Sequence, residues 1–309
     1  MKNKIVLIVC YFGRFPNYFQ LWLDSCEKNK DFTWMIVTDI ESEHRFPDNV
    51  QRVKMSFEEL TTLIQSKVDF PINIQTPYKM CDFKVLYGEI FSEYIREYSH
   101  WGHCDVDVIF GELNKYVTDE LLDRYDRLFT LGHLSIYKNE KRVNEHYKLP
   151  YNGIDYKKIL SHTVHFGFDE YKGLTRIYRD NHLKQYEESY AADINVFHFD
   201  MLANGRVNQE GQYFMYENGR VIRYSCDNKP VDEFAYIHLQ KRKMAVHCKE
   251  EHPQTYYICS DGFYDEKQQI TTMQKIKFYL KAKYESIKNK IQWNIAWKIL
   301  YIKSTGNVR

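Results

Sequence analysis

Short apolar runs and amphipathic stretches alternate along the first 130 residues, and this alternation constrains the fold more than any other feature. Apolar runs rich in β-branched and aromatic residues predict strands at Ile5 to Cys10, Phe32 to Asp39 and Gln51 to Met55. Helical spacing predicts helices over Tyr18 to Lys28 and Phe57 to Lys67. Strands that alternate with helices favour an α/β layer architecture.

Asp105 and Asp107 stand between an aromatic segment, residues 98–104, and an apolar run, residues 108–111. On an extended segment the two carboxylates point to the same side, where they repel unless a cation is present. Mg²⁺ or Mn²⁺ takes oxygen ligands and keeps part of its shell for substrate phosphates. The alternative is a strand end with two solvated turn aspartates. The bulky flanks favour a cation site that holds a diphosphate, such as that of a sugar nucleotide.

Other charged residues are candidates for the same pocket. A helix is predicted from Tyr78 onward, and Lys79, Asp82 and Lys84 lie near its amino-terminal end, where an anion is favoured. The alternative is a surface helix with solvated charges. Asp39 ends the second predicted strand and is a candidate hydrogen-bond partner for a ribose or a base. Its alternative is a turn or a helix cap.

Composition narrows the class of protein. The 309 residues are 44% hydrophobic, which suffices for a substantial core. The seven cysteines are an odd number and form no Cys-x-x-Cys pair, which argues for reduced thiols in the cytosol and against structural zinc. The apolar run at Ile5 to Cys10 is too short for a signal peptide, and the sequence contains no run of about 18 apolar residues that could span a bilayer.

The segment 268–309 differs in charge from the rest of the chain, because nine Lys or Arg accompany the single Glu285. Apolar residues at three- and four-residue steps predict a basic amphipathic helix. We therefore divide the chain into a domain over 1–265 and a helical tail over 266–309. Such a tail fits an anionic membrane surface, and packing on its own domain or on a second subunit is the alternative. Nucleic-acid binding is not expected, since no recognition motif accompanies the charge.

The order of these motifs resembles a bacterial family of GT-A-like glycosyltransferases from capsule and surface-polysaccharide loci. The resemblance rests on Tyr-Phe-Gly after the first strand, Thr-Asp after the second, and the block 77–112 with its Asp-x-Asp. It implies a Rossmann-like mixed sheet, a nucleoside-diphosphate sugar as donor, and Mn²⁺ or Mg²⁺ held by Asp105 and Asp107. The resemblance also implies donor contacts by Tyr11, Phe12, Gly13, Asp39 and Asp82.

A later segment, residues 236–244, resembles the element from which GT-A enzymes supply a further metal or phosphate contact. An alternating strand there would place His238, Gln240 and Arg242 on one side and Lys241 on the other. We expect His238 to be a metal ligand and Lys241 to stabilise the departing diphosphate. The alternative is an edge strand whose lysines prevent aggregation.

The acceptor is expected between the two regions. Residues 137–156 are predicted to form a loop over the pocket, and residues 162–170 to line its acceptor side. A helix is predicted to begin within 187–198, with Asp193 as the catalytic carboxylate, although a helix cap is the alternative.

The sequence therefore predicts a metal-dependent, hexosyltransferase-type enzyme that moves a sugar from a nucleoside diphosphate to a hydroxyl of a glycan or lipid-linked glycan. It is expected in the cytoplasm, peripheral to the inner face of the membrane. The competing hypotheses are a metal-dependent phosphoester hydrolase and an inactive sugar- or lipid-binding scaffold of the same fold.

Overall fold

The computed structural model describes residues 2–268 except Phe197 and Lys241, together with nine positions between 273 and 291. The predicted tail helix therefore lies largely outside the described residues, and the domain boundary stays a prediction. The nine described tail positions are helical and exposed: Met273, Ile276, Tyr279, Leu280, Lys283, Tyr284, Ile287, Lys288 and Ile291.

A mixed seven-stranded sheet forms the centre of the described part of the chain. Strand β1 (Ile5–Cys10) lies parallel to β2 (Phe32–Thr38) on one side and to β4 (His100–Cys104) on the other. Strand β3 (Val50–Lys54) pairs in parallel with the outer side of β2. The three strands predicted at the start of the chain occur where they were expected, and the α/β class is confirmed.

Two smaller sheets complete the described β structure. The central sheet has the order β3-β2-β1-β4-β7-β6-β8; a six-stranded sheet has the order β12-β11-β10-β15-β16-β14; and a three-stranded sheet has the order β5-β13-β9. The remaining strands are β5 (Val108–Phe110), β6 (Arg127–Leu128), β7 (Leu134–Lys138), β8 (Gln185–Tyr186), β9 (Ala191–Asp193), β10 (Tyr213–Glu217), β11 (Arg220–Tyr224), β12 (Pro230–Phe234), β13 (Tyr236–His238), β14 (Ala245–Val246), β15 (Thr255–Ile258) and β16 (Gly262–Tyr264).

The helices are short. The α-helices are α1 (Phe19–Glu27), α2 (Phe57–Ser66), α3 (Tyr87–Ile90), α4 (Asp119–Arg124), α5 (Lys141–Asn144), α6 (Tyr156–Leu160) and α7 (Leu174–Asp180), and 3-10 helices span Pro77–Leu86, Leu113–Lys115 and His146–Lys148. The helix predicted from Tyr78 onward is therefore mostly a 3-10 helix. Among the described residues, no helix has both the length and the apolar character that a membrane span requires.

The central sheet separates two hydrophobic clusters. Alternate residues of β1 point to opposite faces, so Leu7 packs with Trp22 of α1, whereas Ile8 packs with Leu60 of α2. A third cluster lies under the six-stranded sheet and includes Phe214. Because both faces are covered, β1 is an uninterrupted apolar run, as in other buried parallel strands.

Three local predictions are wrong. The helix expected within 187–198 is instead the short strand β9, since Ala191 and Ala192 are buried and pair in parallel with β13. The loop expected over residues 137–156 contains α5 and a 3-10 helix, and Tyr137 and Tyr147 belong to the core. The alternating strand expected over 236–244 ends at His238, and Gln240 has a positive φ of 54°.

Candidate functional site

A cleft of about 1060 Å³ opens at the carboxyl ends of β1 and β4. Ligands in open α/β sheets bind at this position, outside the carboxyl ends of the strands. Several of the residues that the sequence analysis singled out line its walls: Tyr11, Lys84, Asp105, Asp107, Asp193 and His238.

Strand register brings the acidic and imidazole groups of the cleft together. Asp105 and Asp107 lie in the short connection from β4 to β5, and β5 pairs antiparallel with β13 so that Val108 faces His238. On its other side β13 pairs in parallel with β9, where His238 faces Asp193. The Leu239 N–H donates to the Asp107 carbonyl at 2.8 Å and fixes this register.

Asp105, Asp107 and His238 form a cluster in which one ligand atom from each lies within 4.8 Å of the others. His238 Nε2 is 3.5 Å from Asp107 Oδ1. Two carboxylates and one imidazole are a donor set that suits Mn²⁺ well and Mg²⁺ acceptably. The structure brings these three predicted residues together, and their role as metal ligands stays a prediction.

Asp193 contacts His238 from the opposite side of the ring. His238 Nδ1 donates to Asp193 Oδ1 at 2.8 Å, and Asn204 and Gln240 donate to the same carboxylate. Although burial opposes ionisation, these hydrogen bonds lower the pKa of Asp193 to about 2. A carboxylate with so low a pKa is a poor proton acceptor at neutral pH. Its contacts are those of a residue that orients a metal-binding histidine.

The pKa of His238 reflects the negative electrostatic potential of the cluster. Burial disfavours the imidazolium, but hydrogen bonds to Asp107 and Asp193 raise the pKa of His238 to about 9. The acidic groups therefore draw positive charge to this point, where a proton and a divalent cation would compete. This observation supports a fit between the cluster and a cation.

Lys84 joins the cluster from the 3-10 helix. Its ammonium group is 2.6 Å from Asp105 Oδ1, donates to the Gly132 carbonyl at 2.8 Å, and lies 3.5 Å from Asp169 Oδ2. Although burial opposes the charge, the carboxylates of Asp105 and Asp169 hold the pKa of Lys84 well above its ordinary value. The cleft wall therefore carries a fixed positive charge beside Asp105.

Lys79 and Asp82 do not line the cleft, although the sequence predicted that both lie at the pocket for the sugar-nucleotide donor. They form a buried ion pair at 2.8 Å, and Lys79 also donates to the carbonyls of Ile159 and Val164. Asp82 accepts the N–H groups of Phe166 and Phe168, each at about 3.0 Å. The pair ties the loop 159–168 to the 3-10 helix.

The other residues predicted to contact the sugar-nucleotide donor lie in different parts of the structure. Tyr11 and Phe12 line the cleft beside β1, and the neighbouring Gly13 has a positive φ of 106°. Asp39 is exposed and does not line the cleft. Lys241 lies outside the described residues, while its neighbour Arg242 is buried and donates to backbone carbonyls of Asn195, His198 and Ser260.

Sequence reasoning missed His133. Its ring stacks on His238 with centroids 4.1 Å apart, and its Nε2 is 4.0 Å from Asp193 Oδ1. Burial and the neighbouring His238 hold the pKa of His133 well below its ordinary value. With Asp193 and His238 it forms a second possible ligand group that shares His238 with the first. His133 directly precedes β7, which pairs with β4, the strand that leads into Asp105 and Asp107. This position in the chain was the signal that could have identified it.

Asp169 and Glu170 line the cleft beside Lys84, in the stretch 162–170 that was expected to line the pocket. Asp169 is 2% exposed, and burial raises its pKa to about 7 despite Lys84. A Cβ built on Gly132 would meet both Asp169 Oδ2 and Glu170 Oε1 at 2.8 Å, so the two carboxylates share one small space. The sequence analysis placed this stretch at the pocket but assigned neither carboxylate a role.

Fold and site together define an α/β protein with a cleft that combines an acidic, imidazole-containing cluster with a buried lysine. A scan against known families matches residues 7–267 to DUF6625, described as a family of unknown function. The match covers most of the chain, so the protein belongs to this family. No curated protein matches the sequence.

Solved structures include a distant likeness. The galactosyltransferase LgtC, solved in complex with donor and acceptor sugar analogs, is 9% identical and has a TM-score of 0.37. The alignment covers 61% of this chain and 75% of that one.

Proposed function

We propose that the protein is a metal-dependent glycosyltransferase that moves a sugar from a nucleoside diphosphate to a hydroxyl group of a glycan. The observation that carries this proposal is the convergence of Asp105, Asp107 and His238, from two distant chain segments, at one point of the cleft. As the sequence resemblance implied, the fold would be of the GT-A type and the acceptor a growing capsule or surface polysaccharide.

Asp105, Asp107 and His238 would hold Mn²⁺ or Mg²⁺, which supplies charge neutralisation to the diphosphate as it leaves. Asp193 accepts the Nδ1 proton of His238, and this hydrogen bond orients the ring so that Nε2, once it has lost its proton, would face a cation held beside Asp107. The role of Asp193 in this proposal is therefore to position His238.

Lys84 supplies a second, permanent positive charge on the same wall. Its Nζ can donate to a phosphate or sugar oxygen near Asp105, since an ammonium group has three donors in rotatable positions. Tyr11 and Phe12 present aromatic rings to the cleft beside the end of β1, where a base or ribose can contact them. For a bound substrate, a fixed hydrogen-bond donor of the protein would thereby replace the mobile water molecules that solvate it in bulk solution.

Calorimetric titration with UDP and GDP, each with and without Mn²⁺, tests this function. We expect one nucleotide to bind only with Mn²⁺, and Asp107→Asn to weaken that binding at least tenfold because a charged ligand is lost. Asp48→Asn, an exposed aspartate remote from the cleft, is the matched control. Nucleotide affinity that changes neither on removal of Mn²⁺ nor in Asp107→Asn would exclude the proposed cation site.

A metal-dependent phosphoester hydrolase is the second candidate, because His133, Asp193 and His238 form a further ligand group. The group shares His238 with the first one, which argues against two independently held ions. The products distinguish the two candidates. A transferase releases intact nucleoside diphosphate from a sugar nucleotide, whereas a hydrolase of the phosphoester type cleaves within the diphosphate or at its nucleoside.

The tail is proposed to bring the enzyme to an anionic membrane surface, where a lipid-linked acceptor is available. The described tail positions include apolar residues that share one helical face and are about half exposed or more: Ile276, Leu280, Tyr284, Ile287 and Ile291. Lys283 and Lys288 lie among them and suit anionic headgroups.

Vesicle sedimentation tests the membrane proposal on the full chain. We expect binding to vesicles with phosphatidylserine but not to pure phosphatidylcholine, and Leu280→Glu should weaken it strongly. Val207→Glu is the matched control, since Val207 is 86% exposed outside the tail. If Leu280→Glu leaves vesicle binding unchanged but converts a dimer to a monomer, the apolar face contacts a second copy of the chain instead.

A further inference from the structure

Among the described residues, five carboxylates line the cleft, and their surroundings differ in a way that bears on the chemistry of the acceptor. Asp105 pairs with Lys84, and Asp107 lies against His238. Asp193 accepts hydrogen bonds from three side chains. Each of these groups is already engaged within the cluster.

Asp169 and Glu170 remain, and only one of them is accessible. Asp169 is 2% exposed and lies 3.5 Å from Lys84, so a hydroxyl group cannot approach it freely. Glu170 is exposed toward the cleft, and within the described part of the chain no side chain donates to its carboxylate. Although the residue is exposed, its carboxylate is partly desolvated within the cleft.

The backbone of Glu170 is held firmly. Its N–H donates to the Gly167 carbonyl at 3.1 Å, and its own carbonyl accepts the N–H groups of Gly173 and Thr175 at 3.2 Å. The preceding residues are fixed because Asp82 accepts the N–H groups of Phe166 and Phe168. This fixed backbone limits the positions that the Glu170 carboxylate can reach in the cleft, and a group that takes a proton from a bound substrate requires such placement.

We propose that Glu170 is the residue that accepts the proton of the attacking acceptor hydroxyl. The inference rests on the proposed transferase function and adds the acceptor side of the same site. The acceptor oxygen forms a bond to the anomeric carbon while the bond from that carbon to the diphosphate oxygen breaks. The diphosphate leaves with the electron pair, and the hydroxyl proton goes to the Glu170 carboxylate, which later returns it to water.

The electrostatics agree with this assignment. Burial, together with the negative charges of Asp105 and Asp193, raises the pKa of Glu170, although Lys84 and His238 oppose the shift. A raised pKa makes a carboxylate a better proton acceptor at neutral pH. Asp193, which the sequence favoured for this role, has its pKa lowered instead.

The test uses Mn²⁺-dependent release of nucleoside diphosphate from UDP-glucose, UDP-galactose and GDP-mannose, with water as the acceptor. We expect Glu170→Gln to lower kcat about 10²- to 10⁴-fold, the range for loss of a general base. Its affinity for the nucleotide with Mn²⁺ should stay within about twofold, because Glu170 is not among the proposed cation ligands. Glu58→Gln, an exposed glutamate on α2, is the matched control.

Chemical rescue separates a base from a structural residue. Formate should restore part of the activity of Glu170→Ala, because it can supply a carboxylate in the space left by the side chain. Turnover by Glu170→Gln equal to that of the natural protein would overturn the role of Glu170 while the transferase function stands. No rescue by formate in a folded Glu170→Ala, or nucleotide binding without turnover of any donor in the natural protein, would also overturn it. Absence of Mn²⁺-dependent nucleotide binding would overturn the transferase function itself.

Discussion

Lys79 and Lys84 lie on the same 3-10 helix, and each meets a buried aspartate, yet their surroundings are opposite. Lys79 pairs with Asp82, and both groups are sealed from solvent and supplied with further hydrogen bonds from the backbone. Lys84 lies between Asp105, which is one-third exposed in the cleft, and Asp169, whose carboxylate it approaches only to 3.5 Å.

The difference shows how a structural ion pair can be told from a ligand site. A pair whose donors and acceptors are all satisfied internally has nothing left to offer a ligand. A lysine shared between two carboxylates at a cleft wall leaves negative charge uncompensated, and that charge can attract a cation or a polar substrate. By this criterion Lys79 and Asp82 support the fold, whereas Lys84 and Asp105 belong to the proposed ligand site.

The largest effect is expected from Asp82→Asn. The substitution leaves Lys79 charged and buried without a counter-ion, so we expect a loss of about 3–5 kcal/mol in the free energy of unfolding. Urea denaturation measures it. Lys54→Met is the control, because Lys54 and its partner Glu41 are both mostly exposed and such pairs contribute little. A loss below about 1 kcal/mol would mean that the pair is not structural.

Lys84→Met should show the reverse pattern. Asp105 is partly solvated and Asp169 can hold a proton, so the cost in stability should be smaller than for Asp82→Asn. Nucleotide affinity should fall about 10- to 100-fold, since a charge-assisted hydrogen bond contributes about 1.5–3 kcal/mol. Calorimetry with Mn²⁺ present measures the affinity. An unfolded Lys84→Met protein, or unchanged affinity, would contradict the division between the two lysines.

Asp193 is an intermediate case, because it is saturated with hydrogen bonds, like Asp82, but one donor is a residue of the site. Asp193→Asn should raise the Mn²⁺ concentration needed for half-maximal nucleotide binding about tenfold, by loosening the orientation of His238. Asn204→Ala is the matched control, since it removes another hydrogen bond of Asp193 without affecting His238. Equal effects of the two substitutions would show that Asp193 acts on the fold alone.

The sequence predicted much of the site but not this division. Asp105 and Asp107 were recognisable because an acidic pair between bulky apolar flanks requires a reason, and His238 because its segment resembled a known element. Lys79, Asp82 and Lys84 were placed together in the pocket, since spacing along a helix cannot reveal which lysine faces a loop 80 residues away. The 3-10 geometry, which turns these side chains differently from an α-helix, also has no clear sequence signal.

The error at β9 has a physical cause as well. Ala191 and Ala192 favour a helix intrinsically, but burial beside β13 selects the strand. Asp193 thereby faces His238 in the register, a relation between residues far apart in sequence that no local pattern contains. The fold class followed from local periodicity, whereas the roles of individual carboxylates depended on long-range pairing.

The pH dependence of stability sharpens the comparison between Asp82 and Asp169. The folded-state pKa of Asp169 is raised to about 7, above its value of about 3.9 in an unfolded chain. The folded protein therefore holds this proton more tightly, and the resulting stability is lost as the pH rises from about 4 to about 7. Asp169→Asn cannot ionise and should avoid this loss.

Thermal unfolding in EDTA should therefore show that the Tm of Asp169→Asn rises relative to that of the natural protein across this pH range. The expected change is about 2–4 °C for each 1 kcal/mol of stability that the natural protein loses. Above about pH 7 the difference should stay constant, because the carboxyl group of the natural protein has then lost its proton in both states. Asp48→Asn should follow the natural protein throughout, since Asp48 is exposed. If the Tm difference between Asp169→Asn and the natural protein does not change with pH, Lys84 neutralises Asp169 fully, and the two lysines then differ only in their access to the cleft.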